Sequence, residues 1–191
     1  MSDQYSERPC PPGGLPRIIG LAGYAGAGKT LAADILRAKY RYRRLSFAGA
    51  LKAAVKQIYD LSNEQLYGGD KDRVDERYNI TPRVILQRFG TEVCREIYPD
   101  TWVDALERQL KLDPQNEDAY WYVIDDVRFP NEVEAIRRWG GVVWKIVGRE
   151  GEGVEGSHIS EQPLDTGVVI ENIGTEAELA VMLERVIEGS R

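Results

Sequence analysis

The sequence has few of the residues that form disulfide scaffolds and small metal sites. Its 191 residues include two cysteines, Cys10 and Cys94, and one histidine, His158. The two thiols could pair, but Cys10 lies in a segment rich in proline and glycine, so free thiols in a reducing compartment are expected. No cluster of ligand residues surrounds His158 in the sequence, which favours a local hydrogen bond in a loop. The composition argues against a disulfide-rich secreted domain.

Long apolar runs and an excess of positive charge are also missing. No apolar stretch approaches the roughly 20 residues that a membrane-spanning helix needs. Residues 1–16 lack the basic and apolar blocks of a signal peptide and are expected to form a disordered leader. The net charge of −6 argues against a broad nucleic-acid-binding face. These absences predict a cytoplasmic protein without membrane attachment and without stable nucleic-acid binding.

The remaining pattern is that of one α/β domain at residues 17–191. Hydrophobic residues make up 42% and charged residues 29% of the sequence, as in ordinary globular proteins. Strand patterns are predicted at residues 17–22, 45–48, 120–125, 142–147 and 167–171. Helical patterns occur between and after these strands, which predicts a mainly parallel sheet with helices on both faces.

One stretch carries a complete nucleotide-binding pattern. Residues 23–30 fit G-x-x-x-x-G-K-[ST] at every specified position, the pattern of a P-loop. A strand pattern precedes it and a helical pattern follows it, which is the context that the motif requires. The residues of the loop predicted to bind ATP are Gly23, Tyr24, Ala25, Gly26, Ala27, Gly28, Lys29 and Thr30.

Each part of this pattern has a chemical reason. Glycines let backbone N–H groups curl around polyphosphate oxygens. Lys29 is predicted to be catalytic because it places positive charge against the β- and γ-phosphates, and Thr30 offers a hydroxyl to Mg²⁺. The sequence has neither the DxxG turn nor the N-K-x-D signature of a GTPase. Its modest length and the arginines near its predicted loop ends favour a small-molecule kinase.

Acidic and basic residues follow the strand predicted at residues 120–125. Since the carboxyl ends of parallel strands face ligands, Asp125 and Asp126 are predicted to hold Mg²⁺, although helix or turn capping would also explain them. Arg128 lies just beyond them and is predicted to be a catalytic residue that binds an acceptor phosphate. Asn131 is predicted to cap the helix at residues 132–139.

A further helix has an unusually polar surface. Thr81 and Pro82 are typical of a helix start. The apolar stripe expected to face the core consists of Leu86, Phe89, Val93 and Ile97. Arg83, Arg88 and Arg95 lie at different angles, so one or two of them are expected to bind phosphate or base.

Two polar segments have no clear helical or strand period. Residues 148–165 are glycine-rich and are predicted to form a lid that excludes water from the reaction. Arg149, at the root of this lid, is predicted to be catalytic. The charged segment at residues 68–77 is either part of a site or a solvated surface loop.

Taken together, five blocks resemble the deoxynucleoside monophosphate kinases of tailed bacteriophages. They lie at residues 23–30, 46–52, 81–92, 126–132 and 158–161. The resemblance implies a nucleoside monophosphate kinase fold, a five-stranded parallel sheet in the order 2-3-1-4-5. It also implies transfer of the γ-phosphoryl group of ATP, with Mg²⁺, to deoxynucleoside 5′-monophosphates. Such an enzyme would supply nucleotides for DNA synthesis in the cytoplasm of a host cell.

The same resemblance implies roles for individual residues. The acceptor-binding region would span about residues 49–112, and Asn172 would hold the adenine of ATP. The acceptor-binding residues implied are Phe47, Ala48, Lys52, Arg83, Gln87, Arg88, Glu92, Arg128, Asn131 and Glu132. Gly49 and Ala50 depart from the Asp-Pro pair expected after Phe47-Ala48, so no carboxylate contact is expected there.

Two alternatives remain open on the sequence. Another P-loop metabolite kinase, such as a dephospho-coenzyme A kinase, would share the loop and the sheet. A non-kinase ATP-binding switch would share the loop and hydrolyse ATP slowly. Exposed helix faces also leave a homodimer open.

Overall fold

The computed structural model describes residues 15–112, 121–148 and 164–189. The chain divides into two compact units, one formed by Met1–Leu45 with Asp113–Arg191 and the other by Ser46–Leu112. The predicted leader falls outside the described residues up to residue 14. Its last two residues belong to the fold, because Leu15 is buried and the Pro16 carbonyl accepts a hydrogen bond of 2.6 Å from the Tyr42 hydroxyl.

The first unit contains a parallel sheet of five strands. These are β1 (Ile18–Ala22), β2 (Arg43–Leu45), β3 (Tyr122–Val127), β4 (Val142–Gly148) and β5 (Val168–Asn172). Their order in the sheet is β2-β3-β1-β4-β5, so the order 2-3-1-4-5 expected from the sequence is confirmed. All four pairings are parallel, and the carboxyl ends of the strands therefore lie along one edge of the sheet.

Seven α-helices occur in the described residues. They are α1 (Lys29–Tyr40), α2 (Ala48–Tyr59), α3 (Asn63–Tyr67), α4 (Pro82–Gln87), α5 (Thr101–Leu112), α6 (Pro130–Arg138) and α7 (Glu176–Gly189). A 3₁₀ helix, Gly69–Asp72, follows α3, and a π-helix, Arg88–Arg95, continues α4. Helices α1, α6 and α7 belong to the first unit, and the others belong to the second.

The core of the first unit lies between the sheet and helices α1 and α7. Every residue of β1 is buried, as expected for the central strand of a parallel sheet. Helix α7 directs three buried residues of its apolar face into this core. The buried residues of this core include Ile19, Leu21, Leu36, Trp144, Ile146, Leu179, Leu183 and Ile187. Helix α6 covers the opposite face, where Ile136 packs closely over Gly20 of β1.

Two strands begin two residues away from their predicted starts. β2 begins at Arg43 and ends at Leu45, and α2 then starts at Ala48. β3 ends at Val127, so Asp125 lies within the strand. The apolar pattern missed Arg43, Arg44 and Asp126 because they are charged. Arg44 on β2 forms an ion pair with Asp125 on the neighbouring β3, which allows both charges to occupy strand positions.

In the second unit, the charged segment at residues 68–77 contains an ion pair with a buried carboxylate. Asp75 is buried, and its carboxylate accepts hydrogen bonds of 2.7 and 3.0 Å from the Arg77 guanidinium. These bonds hold the pKa of Asp75 well below its usual range. Gln65 donates to the same carboxylate at 2.7 Å and accepts from the backbone of Ser62, completing a capping box at the start of α3. The segment is therefore anchored to α3 through Asp75, while its other residues are exposed or half-buried.

The polar helix of the second unit differs from its predicted pattern. Thr81 caps α4 as predicted, with Pro82 at the first helical position. The helix then adopts π geometry from Arg88. Because i→i+5 hydrogen bonding adds residues to each turn, the later side chains no longer lie on the face that a 3.6-residue repeat predicts. Val93 and Ile97 are 45% and 80% exposed. The prediction that the whole stripe faces the core is wrong for these two residues.

Candidate nucleotide-binding site

The P-loop lies between the end of β1 and the start of α1, at the carboxyl edge of the sheet. Gly23, Gly26 and Gly28 have φ angles of 138°, 81° and 100°, in the region that favours glycine. At Gly28 space is also limiting, because a Cβ there would lie 2.1 Å from the side-chain amide nitrogen of Asn172. The strand–loop–helix context predicted for the motif is therefore present, with glycines where the backbone requires them.

Lys29 folds back across this loop. Its Nζ donates hydrogen bonds to the carbonyl oxygens of Gly23 at 2.6 Å and Tyr24 at 2.7 Å. The ammonium group is thereby held at the start of the loop. Polyphosphate oxygens would be stronger acceptors than these carbonyl groups, because they carry negative charge and attract the ammonium group as an ion pair.

Asn172 supports the loop from the carboxyl end of β5. Its Nδ2 donates a hydrogen bond of 3.0 Å to the carbonyl oxygen of Ala27. A pocket of about 340 Å³ opens beside this contact. Its lining includes Ala25, Gly26, Leu31, Gly148, Asn172 and Glu176. The family resemblance implied that Asn172 lies near the donor nucleotide but gave no signal for its hydrogen bond to the loop.

Thr30 and Asp125 approach the same arginine side chain. Asp125 is buried, with 7% of its surface exposed, and its Oδ2 forms an ion pair with Nη2 of Arg44. The same Nη2 lies 3.5 Å from the hydroxyl oxygen of Thr30. Of the two acidic residues predicted to bind Mg²⁺, Asp126 is the more exposed. No group of three or more potential metal-binding side chains occurs in residues 15–112, 121–148 or 164–189.

Arg128 follows the end of β3, in a backbone segment that Glu132 holds in place. Glu132 is 2% exposed, and its Oε2 accepts hydrogen bonds from the backbone nitrogens of Arg128 at 2.7 Å and Phe129 at 3.1 Å. Within the described parts of the chain, the Arg128 guanidinium forms no hydrogen bond or ion pair. This arginine is therefore positioned through its backbone, while its charged end can bind a ligand.

The start of α6 corrects one prediction from the sequence. Phe129 is the capping residue and Pro130 occupies the first helical position, so Asn131 does not cap the helix. Proline is well suited to that position because its φ angle is fixed near the helical value. Glu132 supplies the capping carboxylate. Sequence reasoning placed Glu132 near the acceptor and missed this structural role.

We expect Glu132→Ala to lower the free energy of unfolding by about 1–3 kcal/mol, because two backbone N–H groups would lose their acceptor. Glu132→Gln keeps an acceptor oxygen and should lose less. Urea denaturation of the two variants and the wild type measures the difference. Equal stability of all three proteins would contradict the assigned hydrogen bonds.

Seven of the predicted acceptor-binding residues lie in the second unit. Phe47 immediately precedes α2, and Ala48 and Lys52 lie on it. Arg83 and Gln87 lie on α4, and Arg88 and Glu92 lie on the π-helix.

Two of these residues form contacts within the second unit. The Lys52 ammonium is 4.3 Å from the centre of the Tyr67 ring. Arg83 forms an ion pair with Asp72, with an Nη2–Oδ2 distance of 2.8 Å, and this contact lowers the pKa of the Asp72 carboxyl. Arg83 thus has a carboxylate partner that a ligand phosphate would need to replace.

Several predicted features lie outside the described residues. Arg149 and His158 belong to residues 149–163, which include most of the predicted lid, and Cys10 belongs to residues 1–14.

Cys94 lies in the π-helix as a free thiol, and partial burial raises its pKa. The helices that the structure describes include none with the length and apolar character needed to cross a membrane.

Comparison with known proteins gives a consistent family. The family model "deoxynucleotide monophosphate kinase" matches residues 71–182. A protein of Acanthamoeba polyphaga mimivirus assigned as a deoxynucleotide monophosphate kinase is 36% identical over 162 residues, covering 77% of this chain and 81% of the viral protein. The deoxynucleoside-5′-monophosphate kinase of Escherichia phage T5 is 39% identical over 80 residues. That match covers 40% of this chain and 30% of the phage protein.

A solved structure shares the fold. The crystal structure of TT1252 from Thermus thermophilus matches with a TM-score of 0.51 and 18% sequence identity. The match covers 92% of this chain and 98% of that one. At this identity the likeness concerns the fold alone.

Proposed function

The chain belongs to the deoxynucleotide monophosphate kinase family, and we propose that it transfers the γ-phosphoryl group of ATP to a deoxynucleoside 5′-monophosphate. The observation that supports this most directly is the P-loop at the carboxyl edge of the sheet, with Lys29 at the start of α1. Loops of this kind bind the phosphates of a nucleoside triphosphate. The family match then supplies the class of acceptor.

The donor would bind along the P-loop and in the pocket beside Asn172. Backbone N–H groups of the loop and the Lys29 ammonium would bind the phosphates, and the helix dipole of α1 adds to their attraction. The pocket of about 340 Å³ has room for a purine base. Within the described residues Asn172 uses its amide nitrogen for Ala27, which leaves its oxygen to accept a hydrogen bond from the adenine amino group.

We expect Asn172→Ala to raise the KM for ATP about five- to tenfold, because one loop hydrogen bond and one wall of the pocket would be lost. The change in kcat should be smaller. Asn63→Ala, a matched substitution at an exposed site on α3, should leave both constants unchanged. Steady-state kinetics with varied ATP measure the effect, and an unaltered KM for ATP would contradict the proposed donor pocket.

Magnesium fits the oxygen ligands next to the loop. The Thr30 hydroxyl and the Asp125 carboxylate approach one cationic group, Arg44, which shows that they can face a shared positive charge. Both are hard oxygen donors of the kind that Mg²⁺ prefers, and phosphate oxygens and water would complete the coordination. When bound, the ion would reduce the charge that develops on the phosphoryl oxygens.

For the acceptor we propose that Arg128 binds the 5′-phosphate through its guanidinium group, which can contact phosphate bidentately. Glu132 fixes the backbone of Arg128, and Asn131 lies between them in sequence near the start of α6. In the second unit, contacts of Phe47, Ala48, Lys52, Arg83, Gln87, Arg88 and Glu92 with the nucleoside remain predictions from the family resemblance. Arg149 likewise remains a predicted contribution from the lid.

Catalysis would then depend on position and charge. Phosphoryl transfer spreads negative charge over the transferred oxygens, so fixed cations on the donor and acceptor phosphates lower its barrier. Lys29 would act on the donor side and Arg128 on the acceptor side. No covalent enzyme intermediate and no dedicated base are required. The product would be a deoxynucleoside diphosphate for DNA synthesis, made in the cytoplasm of a host cell if the gene is viral.

Coupled measurement of ADP release tests this function. Each of the four common deoxynucleoside monophosphates, the matching ribonucleotides and dephospho-coenzyme A are supplied in turn with ATP and Mg²⁺. We expect stimulation by one or more deoxynucleotides over the rate of ATP hydrolysis alone. Stimulation only by dephospho-coenzyme A would favour the other kinase class. A slow rate of ADP release that none of the acceptors increases would favour an ATP-binding switch.

A further inference from the structure

Arg44 occupies the position of a cation between two predicted magnesium ligands. Its Nη2 forms an ion pair with Oδ2 of Asp125 and lies 3.5 Å from the Thr30 hydroxyl oxygen. Neither the P-loop motif nor the family blocks noted in the sequence include this arginine. Its position comes from the strand register, which pairs Arg44 with Val123 and Leu45 with Ile124, directly before Asp125.

The burial of Asp125 makes a counter-charge necessary. The carboxylate is 7% exposed, and a buried carboxylate without a partner is strongly unfavourable. Arg44 is 35% exposed, so its guanidinium reaches the buried group from the solvent side. A divalent ion would use the same oxygens, Oδ2 of Asp125 and the hydroxyl of Thr30. The guanidinium and the ion are therefore alternatives at these two atoms.

A second carboxylate lies within reach of Arg44. Its Nη1 is 3.7 Å from Oδ1 of Asp34 on α1, and the Asp34 side chain is 48% exposed. Asp34 is shared with Arg37, at 3.1 Å on the same helix. A guanidinium that leaves Asp125 can therefore remain paired through a small rotation toward Asp34.

We propose that Arg44 acts as a placeholder cation. It neutralises Asp125 while no divalent ion is bound, and it transfers to Asp34 when Mg²⁺ binds with ATP. This inference rests on the proposed use of MgATP as the phosphoryl donor. Because the state with Arg44 on Asp125 cannot bind the ion through Oδ2, the apparent affinity for Mg²⁺ is reduced by the population of that state.

The test measures the Mg²⁺ concentration that half-saturates binding of a fluorescent methylanthraniloyl-ATP to the full chain. Arg44→Gln should lower this concentration about three- to tenfold, because the competing cation is gone. Asp34→Asn should raise it about two- to threefold, because Arg44 loses its alternative partner. In the double variant the Asp34→Asn effect should disappear, since Asp34 acts through Arg44.

Arg37→Gln is the matched control. It removes a positive charge that also pairs with Asp34 but does not contact Asp125, so its half-saturating Mg²⁺ concentration should stay within about twofold of the wild-type value. An equal change in Arg37→Gln and Arg44→Gln would indicate a general effect of charge and would overturn the placeholder role.

Thermal melting in EDTA gives a second readout. Arg44→Gln should melt at a lower temperature than the wild type. Added Mg²⁺ should raise the melting temperature of Arg44→Gln by more than it raises that of the wild type. If Arg44→Gln does not fold, the Asp34→Asn variant alone decides, and an unchanged Mg²⁺ dependence overturns the inference. Failure of the wild type to bind the ATP analogue would overturn the proposed function as well. Wild-type binding with no change in Arg44→Gln would overturn this inference alone.

Discussion

Replacing Lys29 by alanine is expected to reduce phosphoryl transfer by roughly 10²–10³-fold or more, which is the loss typical when one charge-stabilising donor is removed. In the structure the Lys29 ammonium binds the carbonyl oxygens of Gly23 and Tyr24 at the start of the loop. With a bound triphosphate, the same group would lie against oxygens whose negative charge changes during transfer. The effect should therefore fall on kcat/KM and on kcat.

The fold should survive this change. Lys29 donates hydrogen bonds to two carbonyl groups of a loop at the edge of the sheet, and the core of the first unit is built from apolar residues of β1, α1 and α7. Circular dichroism and thermal melting check this. Lys39→Ala is the matched control, because Lys39 lies on the same helix and forms an ion pair with Glu184 far along the chain. Near-normal turnover in Lys29→Ala would refute the assignment of the loop.

The features that the sequence predicts well are those that depend on local pattern. The P-loop needs particular residues at fixed spacing, and it appears with strand β1 before it and helix α1 after it. Thr175 and Glu178, at the fixed spacing of a capping box, exchange hydrogen bonds of 2.6 and 3.3 Å at the start of α7. The strand order was expected from the family that the sequence resembles, and the structure confirms it.

The features that the sequence missed depend on pairs of residues far apart in the chain. Arg44 and Asp125 are 81 positions apart, and Asn172 and Ala27 are 145 apart. Neither residue of such a pair signals its partner through spacing or periodicity. The π-helix is a different case, because α and π geometry share the same residue preferences over a few turns, so a 3.6-residue repeat was the natural expectation. Its consequence is visible at Ile97, which is exposed.

These missed contacts change how the donor site is understood. The motif alone gives a phosphate-binding loop and one lysine. The structure adds an amide that supports the loop from β5 and a buried carboxylate whose charge is already neutralised by an arginine. Both additions are contacts of the protein with itself, and they hold the P-loop backbone and pair the Asp125 charge.

Arg128→Ala is expected to lower kcat/KM for the deoxynucleoside monophosphate by about 10²–10³-fold, while the affinity for ATP stays within about twofold. The reason is positional. The Arg128 backbone is fixed by Glu132, and its guanidinium forms no hydrogen bond or ion pair with the described residues, so the substitution removes a ligand contact and little internal structure. Arg138→Ala, an exposed arginine at the end of the adjoining helix α6, is the matched control.

The distribution of the loss between the two substrates is what makes this prediction specific. If Arg128 belonged to the donor side, the affinity for a fluorescent ATP analogue would fall together with turnover. If it were only structural, Arg128→Ala would lower the melting temperature, as Glu132→Ala is expected to do. A loss confined to the acceptor, with normal ATP binding and normal melting, requires a cation that meets the acceptor phosphate. That result would connect the family match at residues 71–182 to one side chain of this protein, the guanidinium group of Arg128.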